Sequence, residues 1–350
     1  MLSKTATNNE LPTISIILSC YNEEDVIFDK LNNMLELNYP DSKLEILIGS
    51  DGSQDRTNEI VRKKVSEKIR FHDFQVQRGK VFVLSDLVKN ARNDVFCFTD
   101  ANTMMNPDCL LQLAKWFNDE RIGGVCGKLN LDVSKNKSNQ ESSYWSYENK
   151  IKKNEGLLGV CIGANGANFA IRKEHFPISE KIKLFTDDLV LGLRVLLDGK
   201  YFIYEPLAIA SEKEGDSLWI EFKRKIRIGR SNLSSFYYLK NWTTKLSYQA
   251  LFAFISHKII RWILPVFLLL INVLIPISQN KSYLFMVFGY VFYSIQIISL
   301  IAMYLNNKLN LNFPLKKIIY LTLMNIALCI GYLQYLFGYK KSYWESTIRK

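Results

Sequence analysis

The sequence contains few of the side chains that hold zinc or form disulfides. Its 350 residues include six cysteines and three histidines. The cysteines form no C-x-x-C pair and several lie in apolar runs, which favours reduced thiols in a core over disulfides or a zinc site. The histidines, His72, His175 and His257, are too far apart in sequence to suggest a cluster of metal ligands.

Two common nucleotide-binding motifs are also absent. The sequence has no G-x-x-x-x-G-K-[ST], and no G-x-G-x-x-G follows a predicted strand, which disfavours P-loop and dinucleotide-binding proteins. The formal net charge of +11 nevertheless predicts an anionic partner, such as a nucleotide-like substrate, an anionic membrane or a nucleic acid. We disfavour nucleic acid, because no recognition motif occurs and several cations lie beside apolar runs.

The composition changes sharply along the chain. Residues 1–13 are polar and lack the apolar core of a signal peptide, so we expect the first half to stay on the side of synthesis. Three later runs, 262–278, 282–307 and 318–339, contain no Asp, Glu, Lys or Arg. Each approaches the roughly 20 residues that a transmembrane helix needs. These runs predict an integral membrane protein.

The stretch 246–262 combines apolar and aromatic residues with His257, Lys258 and Arg261, which predicts a helix in the membrane interface. We therefore predict a cytosolic domain over 1–240. Over 241–350 we predict the interfacial helix, about three transmembrane helices and a short basic tail. Two alternatives stay open: the first run is re-entrant, or the interfacial stretch itself crosses the membrane.

The first half alternates apolar, strand-like runs with stretches of helical spacing. The runs 13–20, 44–50 and 94–100 are rich in apolar residues, and the helical stretches 25–37, 56–68 and 80–91 separate them. This alternation predicts an α/β fold with a mostly parallel, doubly wound sheet.

Acidic residues follow the ends of the predicted strands. Glu23, Asp51 and Asp100 stand at three such ends, where a polar turn is the simplest interpretation of each one alone. Ligands of doubly wound sheets bind beyond the carboxyl ends of the strands, so we expect the three carboxylates along one edge. Carboxylates in a basic protein suit a nucleoside diphosphate held through Mg²⁺ or Mn²⁺. Lys80, at a predicted helix start, is placed to contact phosphate.

Seven segments of the sequence, taken in order, resemble the membrane-bound glycosyltransferases of family 2. They are SIILSCYNEED, LIGSDGSQDRT, GK, FTDAN, GANGANFAIRK, FTDDL and KRKIRIGR, and the apolar runs and WESTIR follow them. The resemblance implies a GT-A domain, which is Rossmann-like, followed by an α-helical transmembrane region. It also implies inverting sugar transfer, as in the processive synthases of the family.

The resemblance implies roles for residues in the first half. Tyr21, Asn22 and Glu23 resemble the first nucleotide-contacting loop. Asp51 resembles the carboxylate that accepts hydrogen bonds from the nucleoside base, and Lys80 would lie near the base and the phosphates.

The segment Asp100-Ala101-Asn102 occupies the place of the D-x-D motif. By resemblance, Asp100 would contact the nucleotide and the metal ion, and residue 102 would be the second metal ligand. Asn102 is neutral, so it would be a weaker ligand than aspartate, although an amide oxygen can coordinate Mg²⁺ or Mn²⁺.

The resemblance also implies which residues lie near the acceptor. Asp188, the last residue of Thr186-Asp187-Asp188, resembles the general base, with Asp187 beside it; a pair of helix caps is the alternative. Asn165 of GANGAN would lie near the donor sugar and the acceptor.

One basic segment stands where many processive members have Q-x-x-R-W. Arg227 matches its arginine, whereas Arg224 and Ile228 replace its glutamine and tryptophan. We expect Arg224 and Arg227 to bind the diphosphate leaving group. A basic helix on anionic lipid is the alternative, and both can hold together.

We therefore predict an inverting glycosyltransferase in cell-envelope or exopolysaccharide synthesis. It would be a multi-pass protein of the cell membrane with its catalytic domain on the cytoplasmic face. It would transfer a sugar from a nucleotide-sugar donor, with UDP favoured, to a glycan or lipid-linked acceptor, and polysaccharide-export subunits are candidate partners. The alternative is a catalytically weak, nucleotide-binding membrane subunit that scaffolds a synthase complex, which Asn102 and the altered Q-x-x-R-W favour.

Overall fold

The structure is a computed structural model that describes residues 11–132, 140–176, 187–213, 218–239, 241–278, 283–304 and 313–339. These residues form two compact units. The first unit contains the strands and the second contains most of the apolar helices. The helix that begins at Leu218 belongs to the second unit, whereas the domain boundary predicted from sequence lies at residue 240.

The first unit is built on an eight-stranded sheet with the order β3-β2-β1-β4-β7-β6-β8-β5. The strands are β1 (Ile14–Cys20), β2 (Leu44–Asp51), β3 (Ile69–Phe74), β4 (Val95–Thr99), β5 (Thr103–Met105), β6 (Ile122–Asp132), β7 (Asn168–Arg172) and β8 (Tyr201–Lys213). Strands β1 to β4 pair in parallel, and β7 runs antiparallel to β4 and β6. Strands β6 and β8 are parallel, and β5 is antiparallel to β8. The predicted α/β fold is confirmed, and the antiparallel strands β5 and β7 make the sheet mixed.

Helices separate most strands of this unit, and a short turn joins β4 to β5. They are α1 (Ile27–Leu35), α2 (Thr57–Arg62), α3 (Lys80–Asn90), α4 (Cys109–Ala114), α5 (Gln140–Leu157) and α6 (Asp187–Leu197). Every residue of β1 and β2 is buried, which is typical of central strands covered by helices on both faces. Helix α1 buries Ile27, Leu31 and Met34, which share one face at helical spacing.

The remaining helices are α7 (Leu218–Leu239), α8 (Tyr248–Phe254), α9 (Ile260–Ser278), α10 (Tyr283–Tyr304) and α11 (Phe313–Leu336). Within the second unit, Phe222 of α7 shares a buried cluster with Leu323 and Ala327 of α11. This contact explains why α7 groups with the apolar helices.

Three helical segments are long and apolar enough to cross a membrane: Tyr248–Ile277, Tyr283–Tyr304 and Lys317–Leu336. The first runs through α8, a π-helical turn at Ile255–Ile259 and α9, so the predicted interfacial stretch is continuous with the first apolar run. Its 30 residues would extend about 45 Å as a helix, more than the roughly 30 Å of a hydrocarbon core. A segment of this length is longer than an untilted membrane span needs.

Candidate active site

The carboxyl ends of β1, β2 and β4 lie side by side at one edge of the sheet. Cys20 at the end of β1 pairs with Ser50 of β2, and Leu18 pairs with Thr99 at the end of β4. Because these strands are parallel, the residues that follow them emerge at the same edge. Tyr21, Asn22 and Glu23 follow β1, Asp51 ends β2 and Asp100 follows β4, so the structure brings these candidate residues to one edge.

The loop after β1 is hydrogen-bonded to the loop after β2. The Asn22 amide N–H donates to Ser53 Oγ (3.1 Å), and Asn22 Oδ1 accepts from the Gln54 amide (2.8 Å). The Glu23 amide N–H donates to Thr57 Oγ1 (2.8 Å). Asn22 also adopts a left-handed backbone with φ 51°, which asparagine tolerates better than most residues. These bonds fix the shape of the wall that Tyr21, Asn22 and Glu23 form beside the sheet edge.

Asp51 is fully buried and holds the next loop. Its two carboxylate oxygens accept hydrogen bonds from the backbone N–H groups of Arg78 and Gly79, each at 2.8 Å. The neighbouring Gly52 has φ 76°, and a Cβ there would lie 2.9 Å from the Gln77 nitrogen, so the close approach of the two loops requires glycine. The structure thus gives Asp51 a positioning role, whereas its predicted contact with a nucleoside base stays a prediction.

Lys80 pairs with Asp100 across this edge. Gly79, with φ 102°, precedes the first residue of α3, and Lys80 Nζ lies 2.8 Å from Asp100 Oδ1. Both side chains are about one-fifth exposed, with relative accessibilities of 21% and 23%. A cation and a carboxylate are therefore paired where a nucleoside diphosphate was predicted to bind.

A fully buried lysine supports the turn that carries Asp100. Lys30 Nζ donates to Thr99 Oγ1 (2.8 Å) and to the Thr103 carbonyl oxygen (2.5 Å), on either side of Asp100 and Asn102. Burial lowers the pKa of Lys30 from 10.5 to about 8, although negative groups including Asp100 act in the opposite direction. Sequence reasoning missed this residue. The available signal was a lysine on the apolar face of α1, between Ile27 and Met34.

Asn102 contacts a carboxylate that no motif predicted. Its Nδ2 donates to Glu212 Oε1 at 3.0 Å. The contact arises because Thr103 of β5 pairs with Glu212 of β8. Asp100, Asn102 and Glu212 together offer hard oxygen donors, which suit Mg²⁺ or Mn²⁺. Among the described residues no group of three or more His, Cys, Asp or Glu could hold a metal ion, so a divalent cation here would need phosphate oxygens as further ligands.

The predicted base Asp188 lies by the GANGAN loop. Strand β7 begins at Asn168, which pairs with Thr99, so the loop before it reaches the edge that carries Asp100. A Cβ built on Gly166 would lie 3.7 Å from Asp188 Oδ2, and the Ala164 amide donates to the Asp188 carbonyl at 3.3 Å. Asp187 is the first residue of α6, and Thr186 lies outside the described residues.

Asn165 of the same loop is buried in a hydrogen-bond network. Its Nδ2 donates to the Gly127 carbonyl (2.6 Å), and its Oδ1 accepts from Lys152 Nζ (2.5 Å). Burial lowers the pKa of Lys152, but its interactions with Cys126 and Glu148, and also with Asp188, outweigh burial and raise it. These contacts make Asn165 part of the loop's support, and its predicted substrate contact stays a prediction. Lys152 was missed, although Glu148 and Lys152 share one face of α5.

The two candidate arginines belong to the second compact unit. Arg224 Nε lies 2.7 Å from Glu221 Oε2, and Lys225 Nζ lies 3.5 Å from the other carboxylate oxygen. Burial raises the pKa of Glu221, but Arg224 and then Lys225 outweigh burial and lower it. Arg227 lies partly buried on the same helix, one turn beyond Arg224. The roles predicted for both arginines stay predictions.

Parts of the chain are similar in sequence to known proteins. Residues 15–177 match the family model for glycosyl transferase family 2. The chain is 31% identical over 229 residues to the poly-beta-1,6-N-acetyl-D-glucosamine synthase of Staphylococcus aureus (strain MSSA476), covering 63% of this chain and 54% of that protein. The synthase of the same name from Staphylococcus epidermidis is 27% identical over 236 residues, covering 65% of this chain and 56% of that protein. The chain thus spans about half the length of the curated relatives it matches.

A solved structure has the same fold. It is the mannosyltransferase PcManGT from Pyrobaculum calidifontis in complex with GDP-Man and Mn²⁺, with a TM-score of 0.68 and 18% identity. The match covers 93% of this chain and 88% of that one. The matched family segment contains the strand ends that carry Asp51 and Asp100, together with the GANGAN loop. Residues 15–177 are therefore similar to family 2 glycosyltransferases, and the chain has the GT-A fold followed by apolar helices.

Proposed function

We propose that this chain is an inverting glycosyltransferase that uses a UDP-linked sugar and a glycan or lipid-linked acceptor in exopolysaccharide or cell-envelope synthesis. The observation that carries the proposal is the Lys80–Asp100 pair at the carboxyl edge of the parallel strands, within the segment that matches the family model. The names of the staphylococcal relatives favour an N-acetylhexosamine as the transferred sugar.

The first step of the proposal is donor binding at the sheet edge. The bonded loops at Asn22 and Ser53 would form a rigid wall for the nucleoside, and Asp51 would keep the 78–79 backbone in place. Lys80 would then exchange its partner, from Asp100 to a donor phosphate. Asp100 and Asn102 would hold Mg²⁺ or Mn²⁺, which would supply positive charge to offset that of the diphosphate.

The second step is removal of the acceptor proton. Asp188 would accept the proton of the acceptor hydroxyl as that oxygen attacks the anomeric carbon from the side opposite the diphosphate. Gly166 lies beside Asp188 and presents no side chain towards it, which would favour the approach of an acceptor sugar. Asp187 would assist as the neighbouring carboxylate. Arg227, with Arg224, would stabilise the charge that grows on the leaving diphosphate.

The apolar helices support a membrane location for the reaction. Three candidate spans support a multi-pass membrane protein. We infer that the glycosyltransferase domain faces the cytoplasm, where it can meet nucleotide sugars, and that the spans anchor the enzyme or help form a path for the acceptor. Membrane lipid and polysaccharide-export subunits are the expected partners.

A donor screen tests this function. Full-length protein in detergent would receive a panel of UDP- and GDP-sugars with Mg²⁺ or Mn²⁺ and a membrane lipid extract, and released nucleoside diphosphate would be measured. Release from a UDP-N-acetylhexosamine with a matching glycan product would support the proposal. Release only from another donor would contradict the proposed sugar or the proposed nucleotide and would identify the actual one. Nucleotide binding without release from any donor would overturn the enzymatic proposal and favour the scaffolding subunit.

A further inference from the structure

Glu212 lies beside Asn102, which is the position where the segment in place of the D-x-D motif lacks a carboxylate. We propose that Glu212 supplies the second carboxylate of the cation site that Asp100 begins, in place of an aspartate at position 102. This inference rests on the proposed function, because it assumes a divalent cation bound with a nucleoside diphosphate.

The placement of Glu212 is set by the sheet. Strand β8 pairs with both β5 and β6, and Glu212 is in register with Thr103 on one side and Leu131 on the other. Thr103 directly follows the Asp100–Asn102 turn, and its amide donates to the Asp100 carbonyl at 3.2 Å. Since two strand pairings fix the backbone of Glu212, its position beside the turn does not depend on a loop.

The contact between Glu212 and Asn102 supports the chemistry. Asn102 Nδ2 donates to Glu212 Oε1, so the amide oxygen of Asn102 is directed away from the carboxylate. The hydrogen bond places the carboxylate of Glu212 directly beside position 102. Its negative charge also makes up for the charge that Asn102 lacks. An aspartate at position 102 would instead place two carboxylates next to each other, and these repel unless a cation lies between them.

The charge balance of the site favours the same conclusion. Lys80 pairs with Asp100, so Asp100 and Asn102 together with Lys80 carry no net negative charge. A divalent cation is attracted more strongly if one further carboxylate belongs to the site. Glu212 is a carboxylate in contact with Asn102, and its side chain is partly exposed.

The test uses Mn²⁺ binding to the full-length protein in detergent, with UDP present, measured by electron paramagnetic resonance of free Mn²⁺. The variant Glu212→Gln keeps an oxygen that can accept from Asn102 but removes the charge. We expect it to weaken Mn²⁺ binding by roughly ten- to a hundredfold. The double variant Glu212→Gln with Asn102→Asp returns a carboxylate to the site, and we expect it to regain most of the affinity. Glu67→Gln, on an exposed loop before β3, is the matched control and should bind Mn²⁺ as the unaltered protein does.

A second readout is thermal unfolding with EDTA or with Mn²⁺. Asn102→Asp alone should lower the melting temperature in EDTA, and Mn²⁺ should raise it by more than in the unaltered protein. Unchanged Mn²⁺ affinity in Glu212→Gln would overturn the inference. A loss that Asn102→Asp does not restore would also overturn it, because Glu212 would then act only as a structural neighbour.

The two proposals fail in different ways. If the unaltered protein binds Mn²⁺ and UDP through Glu212 but releases nucleotide from no donor, the proposed function fails and the cation site stands. If it releases nucleotide and Glu212→Gln binds Mn²⁺ normally, the function stands and the inference about Glu212 fails.

Discussion

Replacing the buried Lys30 by methionine should change how stability depends on pH. Lys30 is fully buried beneath the Asp100 turn, and its pKa falls from 10.5 to about 8 on folding. Below both values the amine is protonated in the folded and the unfolded protein, and the shift corresponds to about 3 kcal/mol of lost stability. Methionine fills a similar volume without a charge, so it removes this cost.

The sign of the pH effect follows from the direction of the shift. Between the folded pKa of about 8 and the unfolded value of 10.5, the unfolded chain binds more protons at Lys30 than the folded protein. The unaltered protein therefore gains stability relative to Lys30→Met as pH rises through this window. From about pH 7 to about pH 9 the expected gain is about 1.4 kcal/mol. This corresponds to about 3–5 °C in the difference between the two melting temperatures.

At neutral pH the unaltered protein and Lys30→Met should differ in free energy of unfolding by less than the charge cost alone. Lys30→Met removes the charge cost, but it leaves Thr99 Oγ1 and the Thr103 carbonyl without their donor. A lost partner of this kind costs about 1–3 kcal/mol, so the two effects largely offset each other. The pH dependence is therefore the diagnostic quantity, and the absolute difference at one pH is not.

The assay is thermal unfolding of the full-length protein in detergent and EDTA from about pH 7 to about pH 9, because the expected shift develops over this range. At each pH, the melting temperature of Lys30→Met is subtracted from that of the unaltered protein. This subtraction cancels the contribution of every titratable group that the two proteins share. Lys63→Met is the control, since Lys63 is exposed and pairs with the exposed Glu59. A difference that stays flat with pH, or that grows in favour of the variant, would refute the reasoning about Lys30.

Two further predictions concern the loops of the site. Asp51→Ala should lower the free energy of unfolding by about 3 kcal/mol, because two backbone N–H groups lose a buried carboxylate, and should also weaken nucleotide binding. Thermal unfolding and a UDP titration check this, and a variant that matches the unaltered protein in both would contradict it. Lys152→Met should reduce turnover more than donor affinity, because it frees Asn165 in the loop beside Asp188. Initial rates over a range of donor concentrations separate the two effects, and an altered donor affinity with normal turnover would count against it.

The sequence was sufficient to predict the edge where the candidate residues gather. Parallel strands alternating with helices end at the same edge, so the sequence alone places Asp51 and Asp100 together. The apolar runs likewise predicted the long helices, because membrane spans depend on composition over about 20 residues. Both features follow from local patterns.

The supporting residues could not be predicted in the same way. Glu212 reaches Asn102 through a strand pairing across 110 residues, and no local pattern encodes which strands pair at such a distance. Lys30 could equally have bent from the face of α1 towards solvent, since lysine often exposes its amine while its stem stays buried. Phe222 of the basic helix α7 packs against Leu323 and Ala327 of α11, a long-range contact that the pattern of α7 alone does not encode. Tertiary packing decided each of these cases.

The central claim is that Asp188 removes the acceptor proton in a glycosyl transfer reaction. The most direct test compares nucleoside diphosphate release by the unaltered protein, Asp188→Asn and the control Asp29→Asn, which alters an exposed carboxylate on α1. Nucleotide binding would be measured on the same samples. Donor-dependent release that disappears only in Asp188→Asn, with nucleotide binding kept, is the predicted result. Normal release by Asp188→Asn would contradict the account.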